Sequence, residues 1–148
     1  MKKIEISYIK QVVDKYYNEA LKCFGCSSYT LFWNYDEFNG NLEYNFEAFL
    51  YLLKKLIDNG EILVLVPYYF YDKKTKIYST KTKKIDKERD VFWDISSDEI
   101  INYTRSVLPK DLKDISNSPN INKQNYVDFW YNDCPQIRWV DKETGKIY

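Results

Sequence analysis

Histidine is absent from the 148-residue chain, which removes the commonest general base at neutral pH and the commonest nitrogen ligand for transition metals. Ser-His, Cys-His and His-metal sites are excluded with it. Glycine occurs four times, at positions 25, 40, 60 and 145. None belongs to a Gly-rich phosphate loop or dinucleotide fingerprint, where clustered glycines let backbone N–H groups approach a phosphate, so nucleotide-dependent chemistry is not expected. The longest apolar stretch, residues 62 to 70, is interrupted by Pro67 and is far shorter than the roughly 20 residues that span a bilayer. Residues 1 to 9 alternate charged and apolar side chains rather than forming a secretory h-region, and the expectation is a soluble, cytoplasmic protein. Charge of either sign is not in excess: 22 basic and 22 acidic side chains cancel, so no global field draws the chain to nucleic acid or anionic lipid.

Cysteine is scarce and odd in number, with three residues, which does not suit a secreted disulfide framework. Cys23-Phe24-Gly25-Cys26 has the CxxC spacing, but it follows an expected helix instead of starting one. The dipole at that end does not lower a thiol pKa. Only Cys134 remains to extend the pair, one ligand short of a tetrahedral site. Free reduced thiols, no metal and no cofactor are the expectation.

What is present is a core: 45 % hydrophobic and 18 % aromatic residues, enough for one domain over 1–148. Ile6, Ile9, Val12, Val13, Tyr16, Ala20, Leu21 and Phe24 recur at helical spacing, with Ser7 as a possible cap and Gly25 beyond the end. Ser27 to Trp33 reads as a second, short helix. The strongest stripe is Phe46, Phe49, Leu50, Leu53, Leu56 and Ile57, ending at Gly60. Ile62 to Val66 is β-rich and short, Tyr68 to Tyr71 extends it, and Asp72 to Lys76 turns the chain into a returning strand over Ile77 to Thr82. Ser96 with Glu99 is a capping box for a helix that Pro109 stops. Lys110 to Asn125 reads as a surface loop, followed by strands at Tyr126 to Tyr131 and Ile137 to Val140 and a turn at Asp141 to Gly145. The predicted class is α+β: about four helices, with a hairpin and C-terminal strands forming a small antiparallel sheet.

Paired acids occur at Asp36 and Glu37, Asp94 and Asp98, and Asp128 and Asp133. Proximity in sequence does not make a catalytic carboxylate pair, and helix capping already employs Asp98 and Glu99. No catalytic residue is assigned, and the chain is read as a binding protein and not an enzyme. Charge is unevenly spread, with a net +5 over residues 72–89 and −4 over 34–71. The basic segment, beside Tyr68, Tyr69, Tyr71 and Tyr78, is one candidate for RNA binding through phosphates and stacking. Its plainer explanation is a lysine-protected edge hairpin. The acidic segment is the candidate contact surface for a protein partner. Tyr35, Asp36, Glu37, Glu43, Tyr44 and Glu47 gather acids and aromatics around a loop at Asn39-Gly40-Asn41, and such combinations anchor interfaces. Against that stands simple packing of Phe38 and Tyr44 onto the core. Trp33, Trp93, Trp130 and Trp139 are all expected to be buried, and Tyr35, Tyr44 and Tyr68 to remain at the surface.

The segments Tyr44 to Leu50, Asn59-Gly60-Glu61, Phe92 to Ser96 with Arg105 and Pro109, and the terminal Cys134-Pro135, Ile137, Trp139-Val140 cluster resemble, in order and spacing, a family of small uncharacterised bacterial proteins. These are encoded beside haemagglutinin-type adhesins and contact-dependent growth inhibition toxins. The resemblance covers most of the chain, and its most specific part is the terminal cluster. It implies an immunity protein, whose partner would be the toxic C-terminal domain of a cognate toxin. It transfers no catalytic motif and no binding residue.

Overall fold

The computed structural model describes residues 1–85, 90–109 and 127–148. Helix α1 spans Lys3–Leu21, starting where the Glu5 carboxylate accepts a hydrogen bond from the Lys2 N–H at 3.0 Å. Ser7 therefore lies inside the helix and does not cap it. Ile9, Val12, Val13 and Ala20 form its buried face, the i, i+3, i+4 pattern that the spacing predicts. Helix α2, Leu42–Asp58, is capped by the Asn41 side chain, which accepts from the Tyr44 N–H. It buries Phe46, Phe49, Leu50, Leu53 and Leu56 with Ala48 and Leu52 beside them. That wide apolar face suits its place between α1 and α3, both of which pack on it. Gly60 ends it in the left-handed region at φ +72°, a conformation nearly free of steric cost only for glycine. Helix α3, Ser97–Val107, begins at Ser96, whose Oγ accepts from the Glu99 N–H, and turns Ile100, Ile101 and Thr104 inward.

Strand β1, Ile62–Val64, pairs antiparallel with β6, Ile137–Trp139, in the register Leu63 opposite Arg138. Strands β2, Tyr71–Asp72, and β3, Ile77–Tyr78, make a hairpin. Strand β4, Thr82–Lys83, pairs with β5, Phe92–Trp93. A Leu65–Phe92 bridge and a hydrogen bond from the Val66 N–H to the Val91 carbonyl join the β4–β5 pair to β1. On the other side of β6, Trp139 and Tyr148 exchange backbone hydrogen bonds at 2.9 and 2.8 Å. The architecture is α+β, with α1 and α3 packed on α2, α2 against β1, and the short strands in small antiparallel pairs.

Four expectations need correction. Residues 27–33 form only a 3-10 turn, Tyr29–Leu31, because Phe32 is extended and reaches Phe46, with ring centroids 4.5 Å apart. Tyr68–Phe70 is likewise a 3-10 turn and not a prolonged strand. The segment expected as a strand at Tyr126 to Tyr131 is helical over its described part, with a π-helical turn at Phe129–Asp133. The neighbouring residues Phe129 and Trp130 are both buried. A strand would point them to opposite faces, whereas adjacent helical positions let both reach α2. The expected loop at 110–125 lies outside the described residues, as does the 86–89 end of the basic segment. Within its described part that segment is not one hairpin: β2 and β3 form one pair, and β4 pairs onward with β5.

Candidate partner surface

The acidic loop is tied inward at several points. Tyr35, expected at the surface, is only 5 % exposed, its ring packed against Tyr16, Trp33 and Phe38. The cause is the buried Asn45 of α2. Its Oδ1 accepts from the Tyr35 N–H, and its Nδ2 donates to Asn34 Oδ1, so the loop backbone is pinned against the helix. Phe38 is buried, and Tyr44 is half-buried with its ring against Phe38. Glu37 Oε1 accepts from the Tyr16 hydroxyl at 2.6 Å and from Lys15 Nζ at 3.2 Å. The Tyr16 hydrogen bond, with help from Lys15, holds the Glu37 carboxyl below its ordinary range. Glu47 pairs with Arg105 across the α2–α3 contact. Of the six residues picked from sequence, only Asp36 and Glu43 are exposed. Trp33 also departs from expectation, being half-buried.

A cleft of about 310 Å³ separates α1 from α3 above α2, with Ile9, Leu50 and Ile101 among its apolar lining. Most of its charges are paired, Glu47 with Arg105 and Lys54 with both Asp58 and Asp98, while Lys10 lies over the Tyr51 ring.

The opposite character appears after β1. Pro67 opens the 3-10 turn Tyr68–Phe70, closed by the Phe70 N–H donating to the Pro67 carbonyl at 3.1 Å. The turn sends Phe70 against both Trp93 and Tyr103, and it leaves Tyr68 62 % and Tyr69 84 % exposed. Tyr131, 70 % exposed, stands beside them in a groove whose lining includes Leu65, Pro67, Asn132 and Gln136. A second groove borders Tyr68, lined by Tyr71, Lys76, Ile77, Tyr78 and Lys84. Ile77 is 64 % exposed there. All six lysines between positions 73 and 84 are exposed. The acid of this stretch, Asp72, accepts hydrogen bonds from the Lys74 and Thr75 N–H groups, which lower its carboxyl pKa and fix the turn. This face is aromatic and basic. The sequence exposes its lysines and Tyr68 to inspection, but Tyr131 is hidden by the strand-like look of its segment.

The thiols are free: Cys134 is buried, and Cys23 and Cys26 are half-buried. Burial pushes the Cys134 thiol up to about 12, and burial together with the neighbouring Cys26 raises that of Cys23. Among the described residues no three acidic, cysteine or histidine side chains converge as a metal site would require, and no helix is long and apolar enough to cross a membrane. Of the paired acids, Glu37 is bound to α1 and Asp98 to Lys54. Asp133 has a carboxyl raised by burial and by Asp128. The terminal Cys-Pro cluster is structural in this fold. Ser28 Oγ donates to the Pro135 carbonyl at 2.8 Å, and Trp139 Nε1 donates to the Cys26 carbonyl at 2.8 Å.

No family model and no curated protein matches the sequence. Among solved structures, an uncharacterized protein conserved in bacteria, from Neisseria meningitidis, is similar to the chain. It has a TM-score of 0.57 at 16 % identity, over 99 % of this chain and 89 % of that one. At that identity the likeness is one of fold.

Proposed function

We propose that the chain is an immunity protein. In this reading it binds the toxic C-terminal domain of a cognate contact-dependent growth inhibition toxin, or a related polymorphic toxin, in the cytoplasm, and blocks it without catalysis of its own. The observation that carries the reading is the set of three largely exposed tyrosines, 68, 69 and 131, beside one groove. Exposed rings gathered on one face are poorly explained by folding, whereas tyrosine makes a good interface anchor, offering large area and a polar tip for few rotatable bonds. The family resemblance of the sequence points the same way, and an inhibitor that acts by covering a surface needs only such anchors. Co-expression with the toxin domain encoded beside the chain tests it. The expected result is survival of the cells and a stable complex on size exclusion. Growth arrest despite soluble chain would sink the reading.

A second reading, an RNA-binding module on the basic 72–89 segment, is favoured by the six exposed lysines beside Tyr68 and Tyr78. It predicts affinity that falls steeply with salt, because bound counterions are released from the phosphates.

A further inference from the structure

We propose that the partner docks across Tyr68, covering the grooves on both of its sides, and that the partner's contact surface is acidic around an apolar knob. This rests on the immunity reading for the partner's identity, but the surface and its chemistry come from the geometry. Charge selects the sign. Lys73, Lys76 and Lys84 stand exposed around Tyr68, Ile77 and Tyr78, while Asp72 is engaged in its own turn. Opposed potentials both speed encounter and fix register.

In the second groove the ring geometry favours protein over nucleic acid. Stacking a base needs an open ring face. Tyr71 is packed on both Tyr68 and Tyr78, with centroids 5.7 and 5.1 Å apart, and Lys73 lies over Tyr68. Ile77, the largely exposed aliphatic side chain of the second groove, has no π-face to offer. It suits the apolar contact at the centre of a protein interface, with lysines as the charged rim. The zero net charge of the chain adds no field toward a polyanion. By contrast, the acids of the 34–47 loop are divided between internal pairs and two exposed carboxylates. They give a basic partner little continuous surface.

The test measures binding of the full chain to the immobilised toxin domain, with thermal melts as a control for folding. Reversal of the lysines, K73E/K76E/K84E, is expected to weaken binding by about a hundredfold, mostly through a slower association at low salt. Y69A, at a position too exposed to support the fold, is expected to weaken it by at least about tenfold. D36K/E43K, outside the proposed surface, is expected to leave it within about threefold. Loss of binding in D36K/E43K with full binding in the lysine variant overturns the surface. Tight binding of a single-stranded oligouridylate by the wild-type chain in physiological salt, abolished by K73E/K76E/K84E, overturns the protein partner in favour of RNA. A wild-type chain that does not bind the toxin domain overturns the immunity reading itself, and is thereby distinguished from failure of the surface.

Discussion

Two 3-10 turns, Asp36–Phe38 and Tyr68–Phe70, have the same length and the same plan, a phenylalanine third that packs inward. Their second residues, Glu37 and Tyr69, meet opposite fates. In the first turn Glu37 is held by Tyr16 and Lys15 of α1, and Tyr8 of the same helix donates to its backbone carbonyl at 3.3 Å. In the second, Tyr68 and Tyr69 follow β1 and remain largely exposed. Residue chemistry alone would assign the acids to the outside and the tyrosines to the inside. What decides the matter is whether another element lies close enough to take the side chain, a tertiary fact that overrides local preference.

The comparison can be broken first at the inward phenylalanines. Phe38→Ala removes a ring that is 4 % exposed and touches Tyr8, Tyr35 and Tyr44. It is expected to cost about 3–5 kcal/mol by chemical denaturation. An effect under about 1 kcal/mol would mean that the acidic turn is not packed as described.

An alkaline titration probes the other side, where Cys134 lines the tyrosine groove. Its buried thiol stays protonated up to about 12, against an ordinary 9.0. The native state therefore holds a proton that the unfolded chain releases above pH 9, and stability falls as pH rises. At pH 10.5 the loss attributable to this group is about 2 kcal/mol, read as the difference in pH slope between wild type and Cys134→Ala. Parallel slopes would place the thiol in contact with solvent.

Acid should act on the first turn instead. The Glu37 carboxyl is lowered from its ordinary 4.5 by the Tyr16 hydrogen bond and by Lys15. Its contribution is complete above that value and is lost as pH falls through the lower native one. Between pH 6 and pH 3 the wild type should lose more stability than Glu37→Gln does, and equal losses would remove the tie to α1. The smallest effect belongs to Tyr69→Ala, whose ring is 84 % exposed. Its melting curve should match the wild type to within about 0.5 kcal/mol, so any larger change would show that Tyr69 supports the fold.

Much of the scaffold is legible in the sequence because periodicity and caps are local. The α2 stripe ending at Gly60, the Ser96 cap of α3 and the turn after Asp72 are found where the sequence puts them. The helix at 127–133 is not legible. Phe129 and Trp130 look like strand residues, and the rings that hold them, Phe32, Phe46 and Phe49, lie some 80 to 100 positions earlier in the chain. The candidate surface fails in the same way. Asn45 reads as an ordinary polar residue on a helix, yet its amide fixes the loop that buries Tyr35. Tyr131 is visible as a tyrosine, but only the fold brings it to the groove near Tyr68 and Tyr69.

The pairing of β1 with β6 also sets an order of events during synthesis. Ile62, Leu63 and Val64 find their partners about 75 residues later, at Trp139, Arg138 and Ile137, so at about 5–20 residues per second they wait on the order of 4–15 s after leaving the ribosome's catalytic centre. Helices α1 and α2 are already complete in that interval and can pack together. The nascent chain thus carries a finished helical pair followed by an Ile-Leu-Val strand bare on its β6 side, and such an edge is a template for pairing with any neighbouring strand. Ribosomes stalled before residue 137 should consequently yield a product that aggregates, whereas a chain made through Tyr148 lets β6 and its Trp139–Tyr148 hydrogen bonds close the sheet.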